Sequence, residues 1–163
     1  MQTVKQPLNG QQAYTRLSAL CARSEHCQQD MLDKMRQWGV AEAEQAQVMA
    51  RLVKEQYVDD ARYARAFAND KVHYDRWGRR KVEQALHQKR IDPAVCRDVL
   101  DAVPPQDYVD ALMPLLQQKR HTTKANSPYE LNQKLIRYAL SRGYDMEIIR
   151  QCIDVEDEDE FLD

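Results

Sequence analysis

An apolar triplet spaced four and then five residues apart occurs three times along the 163-residue chain. The copies are Met31, Met35, Val40; Val82, Leu86, Ile91; and Leu135, Ala139, Tyr144, with their last members 51 and 53 residues apart. The positions eight and nine residues beyond each triplet are apolar again: Val48 and Met49, Val99 and Leu100, Cys152 and Ile153. Each copy reads as a helix that ends at a short turn, followed by a second amphipathic helix. There is room for a further helix ahead of each triplet, over 13–23, 60–72 and 107–118, the last with a kink allowed at Pro114.

Cap chemistry supports these divisions. Asp92-Pro93 combines an N-cap with proline at the first helical position, and Ile91 with Cys96 would staple across it. Tyr144, Asp145 and Ile149 repeat that staple, and Val58, Asp59 and Tyr63 form another. Ser127-Pro128-Tyr129-Glu130 has the order of a capping box. With only 4 glycines in the chain, and with straight side chains dominating over β-branched ones, the fold class expected is all-α. Three tandem three-helix repeats of this size cannot each bury a core alone, so they should stack into an elongated, curved row of either hand. The expected division is an N-terminal arm over 1–12, repeats over 13–57, 58–104 and 105–153, and an acidic tail over 154–163.

Charge is unevenly distributed. The last ten residues hold seven acids, so the rest of the chain carries 24 basic and 19 acidic groups, net +5, within an overall −2. Between His73 and Ile91, Arg76, Arg79, Arg80, Lys81, Lys89 and Arg90 face only Asp75 and Glu83. Such a block suits a polyanion or an acidic protein groove. No apolar run is long enough to span a bilayer, and no leader pattern opens the chain, so a cytoplasmic protein with no membrane contact is expected. Cys21, Cys27, Cys96 and Cys152 lie far apart without metal-ligand spacing. No nucleophile motif or phosphate-binding glycine loop occurs, and Asp59-Asp60 sits where a helix cap belongs. The expectation is a binding protein, not an enzyme, with neither cofactor nor metal.

The segments "YVDDARYARAF", "WGRRKVEQALHQKRI" and "KLIRYALSRGY" resemble the RecX regulatory proteins of bacteria, over about residues 13–153. Gln56 and Arg90 stand where that family usually has glycine, at helix C-termini, and the acidic tail is outside its pattern. The resemblance implies three tandem three-helix repeats that bind the recombinase RecA, chiefly its filament on single-stranded DNA, and damp its activities. The partners expected are the filament and single-stranded DNA, with double-stranded DNA as a further candidate, and the chain is expected to be a monomer.

The candidate contact residues are Arg76, Trp77, Arg79, Arg80, Lys81, Lys89, Arg90, Lys119, Arg120, Lys124 and Arg137. Arg79 could pair with Glu83 at i+4, which leaves Arg76, Arg80 and Lys81 without local partners. Trp77 either packs on its own helix's apolar stripe or stacks on a base. Lys119, Arg120, His121 and Lys124 are expected in a loop ahead of the third triplet. The tail would compete with nucleic acid for the basic surface as a phosphate mimic. Two other functions fit the same charge: a helix-turn-helix-like DNA-binding module that needs no recombinase, and a helical adaptor using protein contacts alone.

Overall fold

The structure, a computed structural model, describes residues 6–153. The described residues form nine α-helices and no strand: α1 (Gly10–Arg23), α2 (Gln28–Gln37), α3 (Glu42–Lys54), α4 (Asp60–His73), α5 (Arg79–Gln88), α6 (Pro93–Asp101), α7 (Pro105–Thr122), α8 (Pro128–Ser141) and α9 (Met146–Cys152). In each successive threesome the first helix packs on the third: α1 on α3, α4 on α6, α7 on α9. The all-α, three-helix repeat expected from the triplets is what the chain adopts. The acidic segment 154–163 lies outside the described residues, and with it the expectation of a phosphate mimic.

All nine triplet residues are buried, and the turn geometry explains their spacing. Each triplet helix closes with a residue in the left-handed region: Gly39 (φ 71°), Arg90 (φ 56°) and Gly143 (φ 92°). The next residue then donates its N–H to a carbonyl five positions back, Val40 to Met35 at 3.0 Å, Ile91 to Leu86 at 3.2 Å and Tyr144 to Ala139 at 3.2 Å. This is the Schellman closure, which folds an apolar residue beyond the helix back over its last turn. The five-residue step in the sequence is that reversal. Arg90, and Gln56 (φ 62°) at the end of α3, adopt the left-handed turn without glycine, at a cost of about 1 kcal/mol each.

The interior divides into two cores. One comprises Ala13, Leu17, Met31, Met35, Val40, Val48, Leu52 and Val58. The other is continuous from α4 to α9 and includes Val72, Leu86, Leu100, Leu112, Leu135 and Tyr144. The second and third helical threesomes therefore share one interior, joined where α4 packs on α7. Val58, just ahead of α4, is buried in the first core, whereas Tyr63 and Cys27 are buried in the second. The expected Val58–Tyr63 staple is thus replaced by an exchange of apolar residues between neighbouring units.

Several local expectations change in detail. Asp59 and Asp92 cap α4 and α6 through bonds to the N–H groups of Arg62 (3.0 Å) and Ala94 (2.8 Å). Ser127 caps α8 from the N–H of Glu130, but the Glu130 carboxylate reaches back to the N–H of Asn126, one residue beyond the cap. The side chain of Asp145 makes no capping bond to α9. Helix α7 continues through Pro114 to Thr122, so Lys119, Arg120 and His121 are helical, and of the expected loop cations only Lys124 lies in the connection. The run from Gln117 to Thr122 contains no glycine or proline, and its cations complement the helix dipole at the C-terminus.

His73, the last residue of α4, joins α4 to α7. Its Nε2 lies 3.1 Å from the Asp107 carboxylate and its Nδ1 2.9 Å from the Asn69 carbonyl oxygen. The Asp107 bond, followed by that to Asn69, raises the His73 pKa above its usual 6.5. A raised folded pKa adds stability that is complete below the unfolded pKa and is lost as pH rises through the folded one. Wild type should therefore lose stability relative to His73→Gln as pH is raised from below 6.5 in urea titrations. Both partners are partly exposed, so the difference should stay below about 1 kcal/mol.

Candidate functional site

The basic block from His73 to Ile91 begins at a joint between the second and third helical threesomes. Gly78, the N-cap of α5, lies so close to the turn after α8 that an added Cβ would stand 2.2 Å from the Gly143 carbonyl carbon and the Tyr144 nitrogen. A Cβ on Gly143 would meet the Cβ of Lys81 at 2.5 Å. This close approach lets the N–H of Gly78 donate to the Arg142 carbonyl at 2.9 Å and that of Arg80 to the Gly143 carbonyl at 3.0 Å. A helix N-terminus ordinarily offers such N–H groups to an anion. In α5 two of them are already given to the α8–α9 turn.

Two arginines complete the joint. Arg142 reaches across to the connection ahead of α5: its Nε (3.2 Å) and Nη2 (2.9 Å) donate to the Arg76 carbonyl, and Nη2 also donates to the Asp75 carbonyl. Arg76 has φ 56°, and its Nη1 donates to the Ala111 carbonyl of α7 at 3.0 Å. The sequence left Arg76 without a local partner. Its partner is a carbonyl 35 residues away, so its guanidinium serves the joint.

The other candidates fall into three groups. Arg79 pairs with Asp101 at 2.6 Å instead of with Glu83, and Lys89 pairs with Asp30 of α2 at 2.8 Å. Burial pushes the Asp30 pKa up, but the Lys89 ammonium outweighs it and holds the carboxyl below its usual range. Trp77 is half-buried beside the second core and meets Phe67 edge-on at 6.4 Å. The ammonium groups of Lys81 and Lys71 stand 4.5 and 4.8 Å from the centre of the Trp77 ring. Packing and cation–π contact occupy this tryptophan.

The remaining cations are exposed: Arg80, Arg90, Lys119, Arg120, Lys124 and Arg137. Lys119 lies 4.8 Å from the Tyr138 ring centre, and Arg120 has a long 3.5 Å contact to Asn132. Arg90 stands at the edge of a cleft of about 410 Å³ between the first two units, with Gln28, Glu42 and Asp60. Arg80, Lys124 and Arg137 form no ion pair among the described residues, where ion pairs engage Arg79 and Lys89. Arg137 lies on α8 about 7.5 Å of helix rise before Arg142, the residue that caps its C-terminus, so the joint ties its helix to the start of α5, where Arg80 lies.

Sequence reasoning missed two features of this surface. The joint-forming role of Arg142 depends on a fold-back signalled only by the glycine that follows it. Tyr74 is 78% exposed beside the joint, and exposure of an aromatic at a helix end has no signature in the sequence. Among the described residues no cluster of His, Cys, Asp or Glu could hold a metal ion, and no helix is long and apolar enough to cross a membrane.

Comparison with known proteins gives two matching family models, the second three-helix domain of RecX over residues 59–100 and the third over 106–153. The regulatory protein RecX of Vibrio campbellii is 30% identical over 140 residues, covering 86% of this chain and 88% of its own. That of Acinetobacter baylyi is 27% identical over 152 residues, covering 93% and 92%. The crystal structure of RecX from Lactobacillus salivarius superposes with a TM-score of 0.82 at 18% identity, covering 91% of this chain and 96% of the other.

Proposed function

The chain belongs to the RecX family of regulatory proteins, and we propose that it regulates by binding the recombinase RecA on its single-stranded-DNA filament, thereby damping the recombinase's activities. The observation that carries this reading is that exposed cations of the candidate surface, Arg80, Lys124 and Arg137 among them, form no ion pair among the described residues, on units joined by the hydrogen bonds between α5 and the α8–α9 turn. Exposed cations that the other described residues leave unpaired are available to phosphates or to a partner's carboxylates. The joint between the start of α5 and the end of α8 limits the conformational cost of contacting a partner through Arg80 and Arg137 at once. Recognition is by surface contact and calls for neither cofactor nor metal.

A helix-turn-helix that reads duplex DNA with α5 fits the geometry less well. The first turn of α5 is covered by the α8–α9 turn, and Arg76, Arg79 and Lys89 are engaged with protein. For the same reason, replacing Arg76 or Arg79 would test the fold as much as the contact surface. The cleaner variant is Arg80→Ala/Lys124→Ala/Arg137→Ala. In a titration of RecA's single-stranded-DNA-dependent ATPase, wild type should inhibit below stoichiometry. The triple variant should need about tenfold more protein if each cation contributes a few tenths to 1 kcal/mol. Three lost phosphate contacts would also flatten the log-affinity-versus-log-salt slope by about 2. Undiminished inhibition by a folded triple variant removes these residues from the surface, and inactivity of wild type removes the proposed function.

A further inference from the structure

Tyr74 follows the last residue of α4 and is 78% exposed, against 46% for Tyr129, the next most open aromatic among the described residues. Elsewhere the rings are taken up internally: Tyr63 stacks on Phe67 at 5.8 Å, Arg51 lies over Tyr14 at 3.6 Å and Lys119 over Tyr138 at 4.8 Å. The Tyr74 side chain has no such contact and no hydrogen bond among the described residues. Its backbone is nonetheless fixed from both sides. The N–H groups of Tyr74 (2.9 Å) and Asp75 (3.2 Å) both donate to the Asp70 carbonyl. His73 before it is bonded to Asp107 and Asn69, and Arg142 holds the Asp75 and Arg76 carbonyls after it. A free ring therefore stands on a clamped turn.

The charges bonded to that turn are unevenly neutralised. Asp75 pairs with Lys71 at 2.7 Å and Asp107 with His73 at 3.1 Å. Arg76 and Arg142 give their N–H groups to neutral carbonyls and form no ion pair among the described residues, so their hydrogen bonds are met while their charges are not. Against these two cations stands Asp70, the one acid of 70–76 without an ion pair among the described residues. Both guanidinium residues are partly exposed, so their field reaches solvent. The turn thus calls for a partner with a flat apolar face and a negative charge close beside it. A carboxylate side chain lacks the face, and an aromatic side chain lacks the charge. A nucleotide in a single strand carries both, because every base has a π-face and is flanked by phosphate. In a duplex that face is hidden in the stack. Covering the ring freezes only two side-chain torsions, a small ordering cost. We infer that Tyr74 is a stacking platform for one base of single-stranded DNA.

Stacking at Tyr74 rests on the reading of the chain as a binder of the filament on single-stranded DNA, and it names the contact to the bases there. The test uses the full chain with Tyr74→Ala, which removes the ring, and Tyr74→Phe, which keeps the π-face and removes only the hydroxyl. Because the ring is mostly in solvent, thermal melts of both variants should match wild type. Fluorescence anisotropy is read on a labelled oligothymidine strand and on an abasic strand of the same length and charge. Wild type should prefer the oligothymidine. Tyr74→Ala should bind it about tenfold more weakly and bind the abasic strand as wild type does, whereas Tyr74→Phe should stay close to wild type on both. The slope of log affinity against log salt should be the same for wild type and Tyr74→Ala, since no phosphate contact is removed. Equal binding of the oligothymidine by wild type and Tyr74→Ala overturns the platform. A loss seen only on RecA filaments, with affinity for the bare strand unchanged, also overturns it, by making Tyr74 a contact to the recombinase itself. Inhibition of RecA by a wild type whose strand binding ignores Tyr74 removes the platform and keeps the parent reading. If wild type neither inhibits RecA nor binds the strand, the parent reading falls and the platform falls with it.

Discussion

Replacing Gly78 with alanine should destabilise the protein by about 3 kcal/mol or more, as overpacking against backbone and loss of joint hydrogen bonds combine. The backbone of Gly78, at φ −76° and ψ 166°, suits any residue, so the cost is steric. The added Cβ would stand 2.2 Å from backbone atoms of Gly143 and Tyr144, which cannot rotate away as a side-chain tip could. Separating the strands of chain lengthens the bonds from Gly78 to Arg142 and from Arg80 to Gly143, now 2.9 and 3.0 Å. For a domain of this size the loss corresponds to about 10 °C in melting temperature. Gly10→Ala supplies the control, because a Cβ there comes no nearer than 3.4 Å to Glu44, and its melting temperature should stay close to wild type. Equal melting of Gly78→Ala and wild type would show that the joint does not hold the units together.

Arg142→Ala should be the next most damaging change, at about 2–3 kcal/mol for charge-assisted bonds lost from partly buried carbonyls. One guanidinium serves the carbonyls of both Asp75 and Arg76, and these flank a residue held at φ 56°. Lysine at the same position cannot reproduce the planar fork. Arg142→Lys should therefore recover less than half of the lost stability in denaturant titrations, although it keeps the charge. Full recovery by lysine would identify the contribution as one of charge and not of geometry. Because the joint sets the spacing between α5 and α8, both variants should also weaken the proposed inhibition of RecA at temperatures where they remain folded.

The sequence made the architecture legible where short-range physics decides it. Asp59, Asp92 and Ser127 announce helix starts because a cap is a contact between residues two or three apart. The triplets announce the core because a helix stripe and a Schellman reversal repeat the same spacing in all three units. Glycine's absence at Gln56 and Arg90 did not displace those turns, since a cost of about 1 kcal/mol is small against the burial of the apolar residues they position. The end of α7 reads as a loop in the sequence yet is helical to Thr122, because polar residues with good helix propensity carry no stop signal until Ser127-Pro128.

The candidate surface was legible only as a density of charge. Which cations remain free is a question about pairs, and the decisive partners are remote: Asp101 lies 22 residues from Arg79, Ala111 lies 35 from Arg76, and Asp30 lies 59 from Lys89. Helix position, capping, the buried stripe and the repeat were set by the sequence through contacts a few residues long. The tertiary structure alone decided that the block's arginines split between a joint and a surface. It also set the exposed Tyr74 beside guanidinium groups that no carboxylate neutralises among the described residues, because only packing the end of α8 against the connection ahead of α5 brings Arg142 to carbonyls 66 and 67 residues away.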